Sequence, residues 1–292
     1  MHRHLSLTRA FALLAALAFM LTAAACSGPG VDKAGGTRTK PPVVLTLADH
    51  EENPNDVQFW IDEVQRRSGG SLRIQVTNRW RDQEFAYDKA TIADVQAGKV
   101  QLAKVNARAY DTVGVTSFQA LLAPFLIDNH TLERRVLESD LMGEMLTGTN
   151  KLGLVGLAVL PAQLRKPLGV SRPLVTVEDY RGARIGVREG EIAKATFTAL
   201  GATPVPTIPG RPFNGLDGVE LHFGAIKGNE QQAKAVTSNV TFWPRPMTLV
   251  INRKTFESLT PTQQQALQTA GSAVLSLDGR FKIRQPDVMD AR

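Results

Sequence analysis

The chain has 292 residues, with 34 Lys and Arg against 28 Asp and Glu, a formal charge of +6 and one cysteine. The basic surplus is mild and spread without a Lys/Arg block, so it reads as a solvated surface and excludes a nucleic-acid partner as the expectation. A lone thiol cannot build a disulfide framework within the chain.

The N-terminus carries Arg3 and Arg9, no acid, and then an apolar stretch from Ala10 to about Ala25. The stretch is short of the about 20 residues a spanning helix needs, and its basic flank and small-residue end describe a secretory signal, 1–25. Ala24-Ala25-Cys26 followed by Ser27 and Gly28 resembles a bacterial lipobox, with Ala23 where Leu is usual. Cys26 is therefore the expected lipidation site, and 26–41, small, polar and rich in Gly and Pro, the tether of an exported protein anchored to the membrane surface. With Cys26 used in this way the folded part has no Cys nucleophile and no Cys-based metal site.

From residue 42 onward strands and helices alternate. VVLTLA (43–48) is a buried strand; a helix capped by Asn55 or Asp56 places Val57, Trp60, Ile61 and Val64 on one face and stops at Gly69-Gly70. SLRIQVT (71–77) alternates as a half-buried strand, a helix covers about 84–97, and KVQLAKV (99–105) is a strand. A single helix is predicted from Thr131 to Leu146, then strands at 152–160 and 183–187, a helix at 191–200, and a strand at 247–252. Thr260, Pro261 and Gln263 supply the cap, first-turn proline and capping-box residue of a last helix, with Leu267, Ala270 and Val274 on its apolar face. This βαβ alternation predicts an α/β fold with helices on both faces of a sheet.

Catalytic patterns are missing. His50, His130 and His222 have no metal spacing and read as loop or surface histidines; no G-x-S-x-G elbow, P-loop or G-x-G-x-x-G after a strand is present. Asp217 and Glu220 are a carboxylate pair of a kind common by chance. No enzyme activity, metal or cofactor is expected, and an exported hydrolase is the weakest of the alternatives.

Several stretches, taken in order, resemble one family. They are FWIDEVQRRSGGSLRIQV, DVQAGKVQLAKVNARAY, LLAPFLIDNHTLERRVL, RPLVTVEDYRGARIGV with ALGATPVP, DGVE at 217–220, and FWPRPMTLVINRKTFESLTPTQQQALQTA. From about Val43 to Ser276 the chain resembles the dicarboxylate-type solute-binding proteins of tripartite ATP-independent periplasmic (TRAP) transporters. The resemblance implies a two-lobe periplasmic-binding-protein-like fold that closes on a small organic acid and delivers it to the TRAP permease subunits in the membrane, without a cofactor. The implied lobes are 42–162 plus 247–280, and 163–246, with 281–292 a tail.

The family's carboxylate-binding arginine in the strand "kirV" falls here on Gly186 of RIGV. Arg188 is the candidate replacement: residues two apart in a strand share a face about 6.6 Å apart, so Arg184, Gly186 and Arg188 would align and Arg188 could reach back over the glycine. The alternative is that Arg188 sits in a loop facing water. Arg165 of QLRKP and Arg108 of VNARAY match cleft arginines of the two lobes, with Asn106 beside Arg108; Leu221 replaces an asparagine that binds ligand in many members. With the strand arginine gone, a neutral ligand, or a receptor presenting its ligand to a sensor, is the alternative reading.

Overall fold

Period-two apolar runs between period-3.6 segments give the chain its layers, and the computed structural model describes residues 40–51, 55–82, 84–208, 210–226 and 229–275. The 1–25 leader, Cys26, the tether as far as Thr39 and the 281–292 tail lie outside the described residues. In chain order the elements are β1 (Val43–Ala48), α1 (Asn55–Arg67), β2 (Leu72–Thr77), α2 (Tyr87–Gln96), β3 (Leu102–Asn106), a 3-10 turn at Ala107–Val113, α3 (His130–Leu137), α4 (Leu141–Thr147), β4 (Leu154–Leu160) and β5 (Arg165–Gly169). There follow β6 (Arg184–Val187), α5 (Glu191–Ala199), β7 (Thr203–Pro206), β8 (Gly218–His222), α6 (Phe223–Ile226), β9 (Ala235–Val236), β10 (Met247–Asn252), α7 (Arg253–Ser258) and α8 (Pro261–Leu275).

Two five-stranded sheets carry the α/β fold. The first has the order β2-β1-β3-β10-β4, with β1 parallel to β2 and β3 and β10 antiparallel to β3 and β4. Both faces are buried. Leu45, Leu47, Leu249 and Ile251 pack with Trp60, Val64, Leu267 and Ala270 of α1 and α8, while Ala48, Ala103 and Val250 pack with Ile92, Val95, Tyr110 and Leu137 on the other side. Alternate residues of one strand thus feed two cores, as a doubly covered sheet requires. The second sheet, β7-β6-β8-β5-β9, has β6 parallel to β7 and β8 and β5 antiparallel to β8 and β9. Tyr180, Ile185, Phe197 and Phe242 fill one face, and Leu168, Phe213, Leu216 and Val219 the other. The chain leaves the first sheet after β4 and returns before β10 through Trp243-Pro244-Arg245-Pro246.

The capping box of α8 forms as read: Gln263 Oε1 accepts the Thr260 N–H at 3.0 Å and Thr260 Oγ1 accepts the Gln263 N–H at 3.3 Å. Two helices differ from the reading. The segment 131–146 is not one helix: α3 ends at Leu137, Ser139 turns its hydroxyl back onto the Val136 carbonyl at 2.7 Å, and α4 restarts at Leu141. The helix read over 84–97 begins only at Tyr87, and Ala86 before it makes no side-chain cap. Strands β5 and β7 escape a sequence reading because Pro167, Pro204 and Pro206 argue against strands; β7 tolerates its two prolines at the sheet edge.

Candidate functional site

Ligand clefts of open α/β sheets form beyond the carboxyl ends of the strands. His50 and Glu51 follow β1, Asn106 ends β3 and Arg108 lies just beyond, Arg188 follows β6, and Leu221 and His222 end β8. Arg165 opens β5 opposite His222, held by an Arg165 N–H bond to the Trp243 carbonyl at 2.9 Å. Arg245 projects from the crossing segment, where two flanking prolines fix the backbone and remove two donors.

Most of these residues, Asn106 and Arg108 excepted, line a cavity of about 280 Å³. His50, Glu51 and Tyr87 line it from the first lobe, Arg165, Arg188, Phe213, Leu221, His222 and Asn229 from the second, and Arg245 from between. A smaller space of about 10 Å³, the size of one water, shares Arg165 and Arg245 with it and is otherwise lined by Asn106 and Arg108 with Leu122 and Trp243. A larger space of about 650 Å³ belongs to the first lobe alone, between α4, β4 and α8; its charged residues are Glu138 and Asp140, the wrong sign for an anion.

Most cleft cations are already matched. Arg165 Nη1 donates to Glu220 Oε2 at 2.9 Å, with both side chains almost fully buried. Burial pushes the Arg165 guanidinium down to about 10, against the pull of Glu220. Arg245 donates to Glu51 Oε1, and its Nε donates to Asn106 Oδ1 at 3.0 Å. Lys104 Nζ sits 2.9 Å from both Asp49 and Glu51. Burial would raise the Glu51 carboxyl, but Arg245 and Lys104 hold it far below the carboxylate range. Burial raises Asp49 to about 6 in spite of Lys104. Arg108 Nη2 reaches Asp88 Oδ2 at 3.5 Å and Tyr87 Oη at 3.3 Å, while its Nε and Nη1 are buried without a partner among the described residues.

Arg188 stands apart. Among the described residues it is the cleft guanidinium with no carboxylate in ion-pair reach; its Nη1 donates to the Thr207 carbonyl at 2.9 Å. Burial, together with Arg108 and Arg245, lowers it.

Arg184, Gly186 and Arg188 share a face as expected, the side of Gly215, Leu216 and Thr207, but at Gly186 that face is packed core. Arg184 is exposed and donates to the Gly215 carbonyl. A side-chain carbon on Gly186 would meet Thr207 Cγ2 at 2.7 Å, Leu216 Cδ1 at 2.8 Å and Val219 Cγ2 at 3.1 Å, inside an apolar core. Arg188 reaches the cavity from beyond the strand end instead of over the glycine. Gly186→Arg is accordingly expected to lower stability by about 1–3 kcal/mol or more by overpacking, and to leave ligand affinity no better. Thermal unfolding and calorimetry check both.

The four sequence-predicted binding residues divide between the two spaces. Arg165 borders both, Arg188 borders the large one, and Arg108 and Asn106 border the small one. Asn106 spends both amide hydrogens internally, on Asp88 at 2.8 Å and Tyr87 at 3.2 Å, and its oxygen on Arg245. His50 and His222 are not the surface histidines of the reading: both face the cavity. Burial and Arg245 push His50 down to about 3, and the same causes take His222 well below its ordinary value, so both stay neutral. Asp217 and Glu220 do not form a pair: Asp217 binds Ser171 and the Arg184 N–H, whereas Glu220 serves Arg165. Glu51, Tyr87 and Arg245 were missed. An arginine between two prolines in an apolar stretch, and charge just past a buried strand, were the available signals.

Residues 45–277 match the family described as bacterial extracellular solute-binding protein, family 7 (DctP). The chain belongs to that family. Its members are exported, and TRAP receptors of this type bind small acids and work with membrane permease subunits. Among curated proteins this family 7 chain is 24% identical over 246 residues to the uncharacterized protein YiiZ of Salmonella typhimurium, covering 80% of the chain and 74% of that protein. It is 23% identical over 218 residues to the 2,3-diketo-L-gulonate-binding periplasmic protein YiaO of Escherichia coli, covering 70% and 63%. A TRAP periplasmic solute-binding protein from Xanthobacter autotrophicus, solved with bound β-D-galacturonate, superposes with a TM-score of 0.69 at 26% identity over 79% of each chain. This family 7 chain is a TRAP-type solute receptor with two α/β lobes.

Proposed function

We propose that the 280 Å³ cavity is the ligand site and that it takes a sugar monocarboxylate of hexuronate size, with the carboxylate on Arg188. The unmatched guanidinium carries this reading. Arg165, Arg245 and Arg108 each have an internal carboxylate, so the lining has one cationic fork to offer, and that fork matches one carboxylate. Arg165 stands beside it as a second donor. Glu51, Asn229 and the two neutral imidazoles suit hydroxyl groups around the rest of the molecule; His222 Nδ1 donates to Gln163 Oε1, which leaves its Nε2 to accept. The volume lies just below the usual range of ligand pockets, about 300 to 1,000 Å³, and suits one sugar unit. The β-D-galacturonate bound to the Xanthobacter autotrophicus protein and the 2,3-diketo-L-gulonate of YiaO belong to the same chemical class.

In this reading the lobes are 42–162 with 247–280 and 163–246. Cys26 carries the lipid that keeps the receptor near its permease, raising its effective concentration there. The protein needs no cofactor or metal and performs no catalysis. Calorimetry and thermal shift of the chain with D-galacturonate, D-glucuronate, their aldarates and the galacturonate methyl ester test the ligand. Saturable binding of a uronate, at least tenfold weaker for its ester and aldarate, is expected on the scale of a lost charge pair. Binding of the ester as tight as the acid, or of no sugar acid at all, overturns the reading.

A further inference from the structure

We propose that the two lobes are latched by a reciprocal exchange of helix caps, each lobe supplying the carboxylate that the other's helix lacks. Helix α2 of the first lobe begins behind Ala86, and α5 of the second begins behind Gly190; neither residue makes a side-chain cap. The first-turn N–H groups of a helix need acceptors, and its positive end favours an anion. Both acceptors come from the opposite lobe. Glu189, just past β6, accepts the Asp88 N–H on Oε1 at 3.2 Å, and the Lys89 N–H binds the same carboxylate. Asp111, in the 3-10 turn after β3, accepts the Glu191 and Ile192 N–H groups on Oδ2 at 2.9 and 3.3 Å.

The backbone permits the approach. Gly190 has a φ of +143°, a conformation that side chains rarely adopt, and a carbon placed there would lie 3.5 Å from Arg108 Cβ. The lobes therefore meet at this point with no side chain on Gly190 between them. Glu189 is nearly buried, and neither Glu189 nor Asp111 lines the 280 Å³ cavity. The latch thus acts on the relative placement of the lobes without touching ligand. Because every contact crosses the cleft, opening breaks both caps together.

That reciprocity is what an experiment can read. Hydrogen exchange of the ligand-free full chain should show protected amides at Asp88, Glu191 and Ile192. In Glu189→Ala, exchange should speed up on the order of tenfold at all three, including the two on α5 that Glu189 does not touch. Asp111→Ala should do the same to Asp88. Glu189→Gln, which keeps an acceptor oxygen, should retain most of the protection. Slow exchange in β3 and β10 verifies that each variant is folded. Loss of protection confined to the helix whose own cap was removed, or unprotected amides in the wild type, overturns the proposal.

Discussion

Arg188→Ala is expected to weaken uronate binding by about 2–5 kcal/mol, roughly thirtyfold to several-thousandfold, while leaving the fold nearly as stable as before. The two effects separate because of how Arg188 is held. Its protein partner is the Thr207 carbonyl, so its removal strands no buried carboxylate and costs stability only about the 1 kcal/mol of one hydrogen bond. Arg165 is the poorer probe despite its place on both spaces. Truncating it leaves Glu220 buried and unpaired, which destabilises by about 3–5 kcal/mol whatever the ligand does. Arg188→Lys should fall between wild type and alanine, because an ammonium keeps the charge and loses the two-pronged geometry. Calorimetric affinity measured beside the melting temperature checks the split; equal affinity in Arg188→Ala would remove Arg188 from the site.

The second large effect is on folding. Lys104 and Asp49 are both fully buried, and Lys104 also reaches Glu51. Lys104→Met removes the cation that Asp49 depends on, and the expected loss is about 3–5 kcal/mol near pH 8, on the order of 10 °C in Tm. The loss should shrink at lower pH. Burial already raises Asp49 to about 6 with Lys104 present. A carboxyl raised above its unfolded value contributes stability that is present at low pH and is lost as pH rises through the folded value. Without Lys104 that value moves higher, so lowering the pH from 8 to 5 protonates Asp49 and restores part of the deficit. Thermal unfolding of both proteins at the two pH values measures it; an unchanged Tm at pH 8 would show that the pair contributes nothing.

Much of the fold was legible because its strands are short apolar runs with clear helix stops between them. Trp60 and Val64 of α1, and Leu267 and Ala270 of α8, were placed on the faces that pack together. The second sheet was harder to read. Pro167, Pro204 and Pro206 interrupt β5 and β7, and sequence periodicity cannot show that β5 and an edge strand tolerate them. The site was legible as a set of arginines and illegible as a charge balance. Which guanidinium is left over depends on Glu51, Asp88 and Glu220 arriving from β1, α2 and β8, separations in sequence that no local pattern encodes. Gly186 has the same lesson: its position in RIGV aligned it with a ligand face, and only the packing of Thr207, Leu216 and Val219 turned it into a core position.

A crystal structure of the chain soaked with D-galacturonate or D-glucuronate bears most directly on the ligand site. The expected result is density between the lobes with the carboxylate within about 3 Å of the Arg188 guanidinium nitrogens and the hydroxyls turned toward Glu51 and the two histidines. A sugar acid bound with its carboxylate away from Arg188, or seated outside the cavity, would contradict it.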